Sequence, residues 1–139
     1  TDYDVIRRDI ARLAERYDIR KIGYDRWNSS QLVIDLQNDG LPMDGFQQSI
    51  SNISPPTKEF ERLVRSGDLE HYNHPVLRWM VSNVVVYRDA NDNLKPVKNR
   101  SPEKIDGVVA AIEAIGEWMS AQRTPPARSI YEERGLRTF

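Results

Sequence analysis

Cysteine is absent from this 139-residue chain. That removes disulfides, thiolate nucleophiles and thiolate zinc sites, and it accords with a reducing compartment. Histidine is scarce, with only His71 and His74. Without a cysteine or a His-Glu-x-x-His helix to add ligands, these two do not make a zinc site. No apolar run approaches the roughly 18 residues of a membrane helix, and no charged-then-apolar leader of the secretory kind opens the sequence. The Gly-x-Ser-x-Gly elbow of serine hydrolases is missing. So is a Gly-x-x-x-x-Gly-Lys-Ser/Thr phosphate loop, and no ATP site is expected. A net charge of −1 provides no global attraction to nucleic acid.

Apolar residues make up 39% of the chain and charged residues 29%, enough for one globular domain with one core. Ile6, Ile10, Leu13 and Tyr17 recur at helical spacing, which predicts an amphipathic helix over 4–17 with one buried stripe. The short run from Ile22 to Tyr24 predicts a buried strand ending at Asp25. Asn28 or Ser29 is placed to cap a helix from Ser30 to Asn38, with Leu32, Val33 and Leu36 on its apolar face. Residues 43–53 suggest a weak strand and a loop. Ser54-Pro55 has the form of a helix start, and Asn73-His74-Pro75 of another, leading into Val76, Leu77, Trp79 and Met80. The strongest strand signal is Val84 to Tyr87, with Leu94 to Val97 as its hairpin partner across a turn at 90–93. Ser101-Pro102 has the form of a cap for the longest helix, from Glu103 to about Ser120, whose apolar stripe is Ile105, Val108, Val109, Ile112, Ile115 and Met119. Residues 121–139 extend beyond it as a polar segment carrying Arg123, Arg128, Arg134 and Arg137. The expected division is a domain over 1–120 and a basic extension over 121–139.

Two carboxylates stand beside apolar runs. Asp25 is at the carboxyl end of a predicted strand, where ligands bind in open α/β sheets. Asp106 is in the first turns of the long helix, at the border of its buried stripe, and the stripe through it continues with Ala110, Glu113 and Glu117. A carboxylate in apolar surroundings is costly unless a cation neutralises it, and a divalent metal does this well. Each acid also has a plainer reading. Asp106 is favourable with the helix dipole, and Asp25 can cap the next turn or pair locally. Lys95, Lys98, Arg100 and Lys104 place four cations in ten residues. They read either as a solvated loop or, beside Asp106, as contacts for phosphate that orient DNA without reading its sequence. His71 is a candidate for positioning water or contacting phosphate, or a loop histidine bonded to backbone. Trp27, Trp79 and Trp118 have the spacing of core or interface aromatics more than of base-stacking platforms.

These residues together carry a family resemblance. Tyr24-Asp25-Arg26-Trp27-Asn28, Leu69-Glu70-His71, Asn73-His74-Pro75-Val76-Leu77-Arg78-Trp79-Met80, Asn83-Val84, Lys95-Pro96-Val97-Lys98 and Lys104-Ile105-Asp106-Gly107-Val108-Val109-Ala110 follow one another in an order that resembles the nuclease part of tailed-phage large terminase subunits. The end, Ser129-Ile130-Tyr131-Glu132-Glu133-Arg134-Gly135-Leu136, is similar too. The resemblance implies an α/β, partial ribonuclease H-like fold, helix-rich with a small sheet. Its first strands, and with them the family's first acid, would lie upstream of Thr1. It further implies a two-metal endonuclease cutting double-stranded concatemeric DNA, with magnesium or manganese as cofactor and Asp25 and Asp106 as metal and catalytic acids. His71 is a catalytic candidate by its place in a family motif, and Lys98, Arg100 and Lys104 are DNA-binding candidates. Implied partners are double-stranded DNA and, for a full-length protein, the terminase small subunit and the portal. The implied location is the cytoplasm of a bacterial host. With one acid lacking, weak or no activity is expected. The alternative is a catalytically incomplete remnant that binds DNA or protein, dimerising through an uncovered sheet edge.

Overall fold

Hydrophobic patterning and the turn residues set nine elements, seen in a computed structural model that describes residues 2–26 and 31–123. They are α1 (Tyr3–Arg16), β1 (Ile22–Asp25), α2 (Gln31–Asn38), β2 (Met43–Phe46), α3 (Ile50–Ser66), α4 (Pro75–Asn83), β3 (Val86–Arg88), β4 (Leu94–Pro96) and α5 (Asp106–Arg123). Trp27, the expected caps Asn28 and Ser29, and the segment 124–139 with its arginines lie outside the described residues.

β1 and β2 pair in parallel, Ile22 against Met43 and Asp25 against Phe46, with α2 as the crossover. β3 and β4 form an antiparallel hairpin, Val86 against Pro96 and Arg88 against Leu94. Its turn is held by Asp89, whose carboxylate accepts from the backbone N–H groups of Asn91 and Asn93. The core lies where α3, α5 and β2 meet: Phe46, Ile53, Phe60, Val108 and Ile112, flanked by Leu69, Leu77, Met80 and Ile115. α5 is the central strut, packed along α3, against α4 and onto β1. This is the expected helix-rich α/β class with small sheets, consistent with a partial ribonuclease H-like fold.

Several local expectations are corrected. α3 starts at Ile50, not Ser54, because Ser49 already caps it by accepting from the Asn52 N–H. Pro55 and Pro56 then fall inside the helix. The carbonyls they leave without donors, on Ser51 and Asn52, are on exposed residues where water serves instead. Ser54 is buried and accepts from the Leu94 N–H, tying α3 to β4. Likewise Ser101 does not cap α5. Its hydroxyl accepts from the Val85 N–H and donates to the Val97 carbonyl, so it fastens the base of the hairpin. The helix opens instead after Ile105, whose carbonyl accepts from Val108 and Val109.

The stripe of α1 is only half covered: Leu13 and Tyr17 are 49% and 54% exposed. α1 packs on α2, and a helix of 14 residues overhangs one of 8 by about 9 Å. Trp79 and Trp118 are exposed and stand outside the core. The hairpin strands are also shorter than predicted, with Val84 and Val85 before the first paired residue.

Candidate functional site

One face of α5 carries Asp106, Glu113 and Glu117, spaced at whole turns of the helix. The fold treats the three differently. Glu117 is 10% exposed at its side chain and is held by Lys21, whose Nζ lies 2.7 Å away. Lys21 also reaches Asp44 of β2 at 2.5 Å, and these two acids raise its pKa while Lys21 holds the Asp44 carboxyl below the usual range. This triad fastens the strands to the carboxyl half of α5. Gly23 leaves the room it needs: a Cβ there would lie 3.3 Å from Glu117 Cγ.

Glu113 stands one turn nearer the amino end. Its Oε1 accepts from Gln48 Nε2 at 2.6 Å, and the Gln48 carbonyl accepts from Lys95 Nζ at 3.2 Å. Burial pushes the Glu113 carboxyl up, and the negative charge of Asp25 adds to the rise while Lys98 opposes it. Gly23 faces Glu117 and Asp25 acts on Glu113, so β1 advances toward the amino-terminal half of α5 and delivers Asp25 to this face. Glu113 is the residue that motif reasoning missed as part of the site. Its one visible signal was its place on the helical stripe through Asp106.

Asp106 lies about 10 Å further along the axis, at the first helical residue, where the dipole favours a negative charge. Its Oδ1 accepts from Lys98 Nζ at 2.6 Å. Lys98 holds its pKa low, and Lys104 adds to this through space. Lys98, Lys104, Glu103 and Ser101 line the small pocket at this helix end.

Lys98 and Arg100 also line a larger groove with Lys95, Tyr87 and Gln48, where the Arg100 guanidinium sits over the Tyr87 ring at 5.8 Å. The fold thus sets Lys98 and Lys104 at Asp106, and Arg100 one step away along the groove. Glu113 feels the charges of Asp25 and Lys98, and Lys98 pairs with Asp106. His71 lines an apolar cavity with Phe60, Val64, Leu69 and Leu77, and Leu77 in turn lies against Gly107 at the start of α5. His71 Nδ1 and Asn83 Nδ2 are buried with no hydrogen-bond partner among the described residues. His74 caps α4, its Nδ1 accepting from the Leu77 N–H.

A divalent metal of the magnesium kind fits this face in donor chemistry. Carboxylate oxygens are the hard ligands it takes, often one or two of them with water completing the shell. Asp106 already faces a cation, the Lys98 ammonium. The set is short in number: among the described residues no group of three or more histidines or acids converges on one point.

Residues 1–122 match the family profile described as terminase large subunit, endonuclease domain. The large terminase subunit of Enterobacteria phage HK97 is 33% identical over 117 residues, covering 83% of this chain and 23% of the relative. Protein YmfN of Escherichia coli (strain K12) is 32% identical over 117 residues, covering 83% of this chain and 26% of that protein. The crystal structure of the HK97 bacteriophage large terminase superposes with a TM-score of 0.76 at 33% identity, over 84% of this chain and 25% of that one. The chain therefore spans about a quarter of the length of these relatives.

Proposed function

This chain belongs to the terminase large subunit, endonuclease domain family, and we propose that it provides the metal-dependent DNA-cutting site of a phage DNA-packaging terminase. Asp25 and Asp106 are the acids that would hold magnesium or manganese. The observation that carries this reading is the Asp106 carboxylate at the amino end of α5, exposed, ionised and already matched to a cation. A bound divalent ion supplies charge neutralisation at the leaving oxygen and an acidified water. The chain's own residues do the rest. Lys98, Arg100 and Lys104 bind and orient the phosphate backbone. Asp25 brings negative charge to the same face from β1, and Glu113, protonated more readily than an ordinary glutamate, limits the repulsion there. His71, whose Nδ1 is buried with no hydrogen-bond partner among the described residues, is proposed as a residue that positions water or contacts phosphate.

Double-stranded concatemeric DNA is the proposed substrate. The small subunit and the portal are the proposed partners in packaging, in the cytoplasm of a bacterial host. No described helix is long and apolar enough to cross a membrane. The shortage of converging ligands favours weak activity in the 139-residue chain.

A plasmid-nicking assay with Mn2+ tests the proposal. Slow nicking is expected, lost in Asp25→Asn and in Asp106→Asn. Nicking that survives both substitutions would refute the assigned acids. Metal-independent DNA binding without any nicking would favour the alternative, a binding module that has lost its chemistry.

A further inference from the structure

Lys98 has one ammonium and two claims on it. Its Nζ donates to Asp106 Oδ1 at 2.6 Å, and its stem rises from the loop after β4 along the groove shared with Lys95 and Arg100. Both members of the pair are more than half exposed, at 58% and 60%. An exposed pair of this kind contributes little and gives way readily to a stronger ligand. Lys104 is the other cation at Asp106, and it acts through space without a hydrogen bond to that carboxylate.

We propose that Lys98 is a placeholder cation: it occupies Asp106 while no divalent ion is bound, and it turns to a DNA phosphate in the adjoining groove when a divalent ion takes that carboxylate. The inference rests on the metal-dependent reading above. One ammonium cannot serve both partners, so uptake of the ion and binding of the DNA backbone are coupled with positive sign. The divalent ion frees a phosphate contact, and the phosphate in turn removes a competitor for Asp106. Without DNA, by contrast, Lys98 simply competes with the ion. Lys98 is then a positioning residue whose two states are set by what else is bound.

Titration of the 139-residue chain with Mn2+ in the absence of DNA, followed by calorimetry, separates the possibilities. Lys98→Met should bind Mn2+ about three- to fivefold more tightly than wild type, the range expected when a weak direct competitor is removed. Lys104→Met, which removes a charge but no hydrogen bond, should change affinity by less than about twofold. The companion measurement is duplex-DNA binding by fluorescence anisotropy, with and without Ca2+. Wild type should tighten on adding Ca2+ by a larger factor than Lys98→Met does. Equal gains in the two lysine variants would reduce the effect to general charge and overturn the placeholder role. So would unchanged or weaker Mn2+ binding in Lys98→Met, or an equal Ca2+-dependent gain in DNA affinity in that variant and wild type. A wild-type chain that takes up no Mn2+ at all would instead bring down the metal-dependent function and this inference with it.

Discussion

The two halves of α5 hold the same functional group, a carboxylate, in opposite ways. In the carboxyl half Glu117 is buried, paired with Lys21 and locked to both strands. At the amino end Asp106 is exposed and held by one loosely anchored lysine. A buried carboxylate with a fixed ammonium partner is structure, because removing either leaves an uncompensated charge. An exposed one at a helix start, with a replaceable partner, is available for chemistry. Glu113 lies between them in space and in character, hydrogen-bonded to Gln48 but raised in pKa by burial and by Asp25. Acidic residues along one helix face are thus sorted by what the strand segments bring to them, with Lys21 just before β1 at one end and Asp25 at the end of β1 further along.

The contrast is tested first by the largest perturbation, in the core that α5 anchors. Ile112 is almost fully buried, and Ile112→Ala should cost about 2–5 kcal/mol in urea denaturation. Next, Glu117→Ala should cost about 2 kcal/mol by the same method, since Lys21 keeps Asp44 but loses its buried partner. Asp106→Asn should stay within about 0.5 kcal/mol of wild type, as an exposed pair does.

The glycines divide the helix in the same way. A Cβ on Gly116 would lie 2.8 Å from the buried Phe46 ring, and on Gly107 2.8 Å from Met80 Sδ. Gly116→Ala should therefore destabilise by about 1–2 kcal/mol even after the helix gain. Gly107→Ala should be neutral within about 1 kcal/mol, because the thioether moves aside. Equal costs at the two positions would erase the distinction.

The smallest effect is in pH dependence, and the signs differ. Glu113 has a folded pKa raised by burial, so its contribution to stability is full below the ordinary glutamate range and is lost as pH rises through the raised value. Glu113→Gln should remove that decline, and its advantage over wild type should grow with pH. Asp106 has a pKa lowered by Lys98, so its contribution is present above the ordinary aspartate range and is lost as pH falls through the lowered value. Asp106→Asn should flatten that acid limb. Denaturation midpoints from about pH 3 to pH 7 separate the two.

Local patterning made much of this legible. The period of Ile105, Val108 and Ile112 marked α5, the Ile22–Tyr24 run marked β1, and Asn73-His74-Pro75 marked the start of α4, with His74 as its cap. Local signals misled where two competed. Ser54-Pro55 has the form of a helix start, yet Ser49 caps first, and the prolines leave carbonyls without donors only on the exposed residues Ser51 and Asn52. Ser101-Pro102 has the form of a cap, yet the hydroxyl is taken by the hairpin. The pairs that hold this helix face were not legible, because they join residues far apart in sequence: Lys21 with Glu117, and Gln48 with Glu113. No spacing rule encodes such partners, since only the packing of β1 and β2 on α5 creates them.

The division of α5 is tested most directly by thermal melting with and without Mn2+ on three chains: wild type, Asp106→Asn and Glu117→Gln. An ion bound only by the folded chain raises its melting temperature. The expected result is a rise with Mn2+ in wild type and in Glu117→Gln, the latter from a lower starting point, and no rise in Asp106→Asn despite an unchanged starting point. A rise that persists in Asp106→Asn, or that disappears in Glu117→Gln, would contradict the assignment of chemistry to one end of the helix and structure to the other.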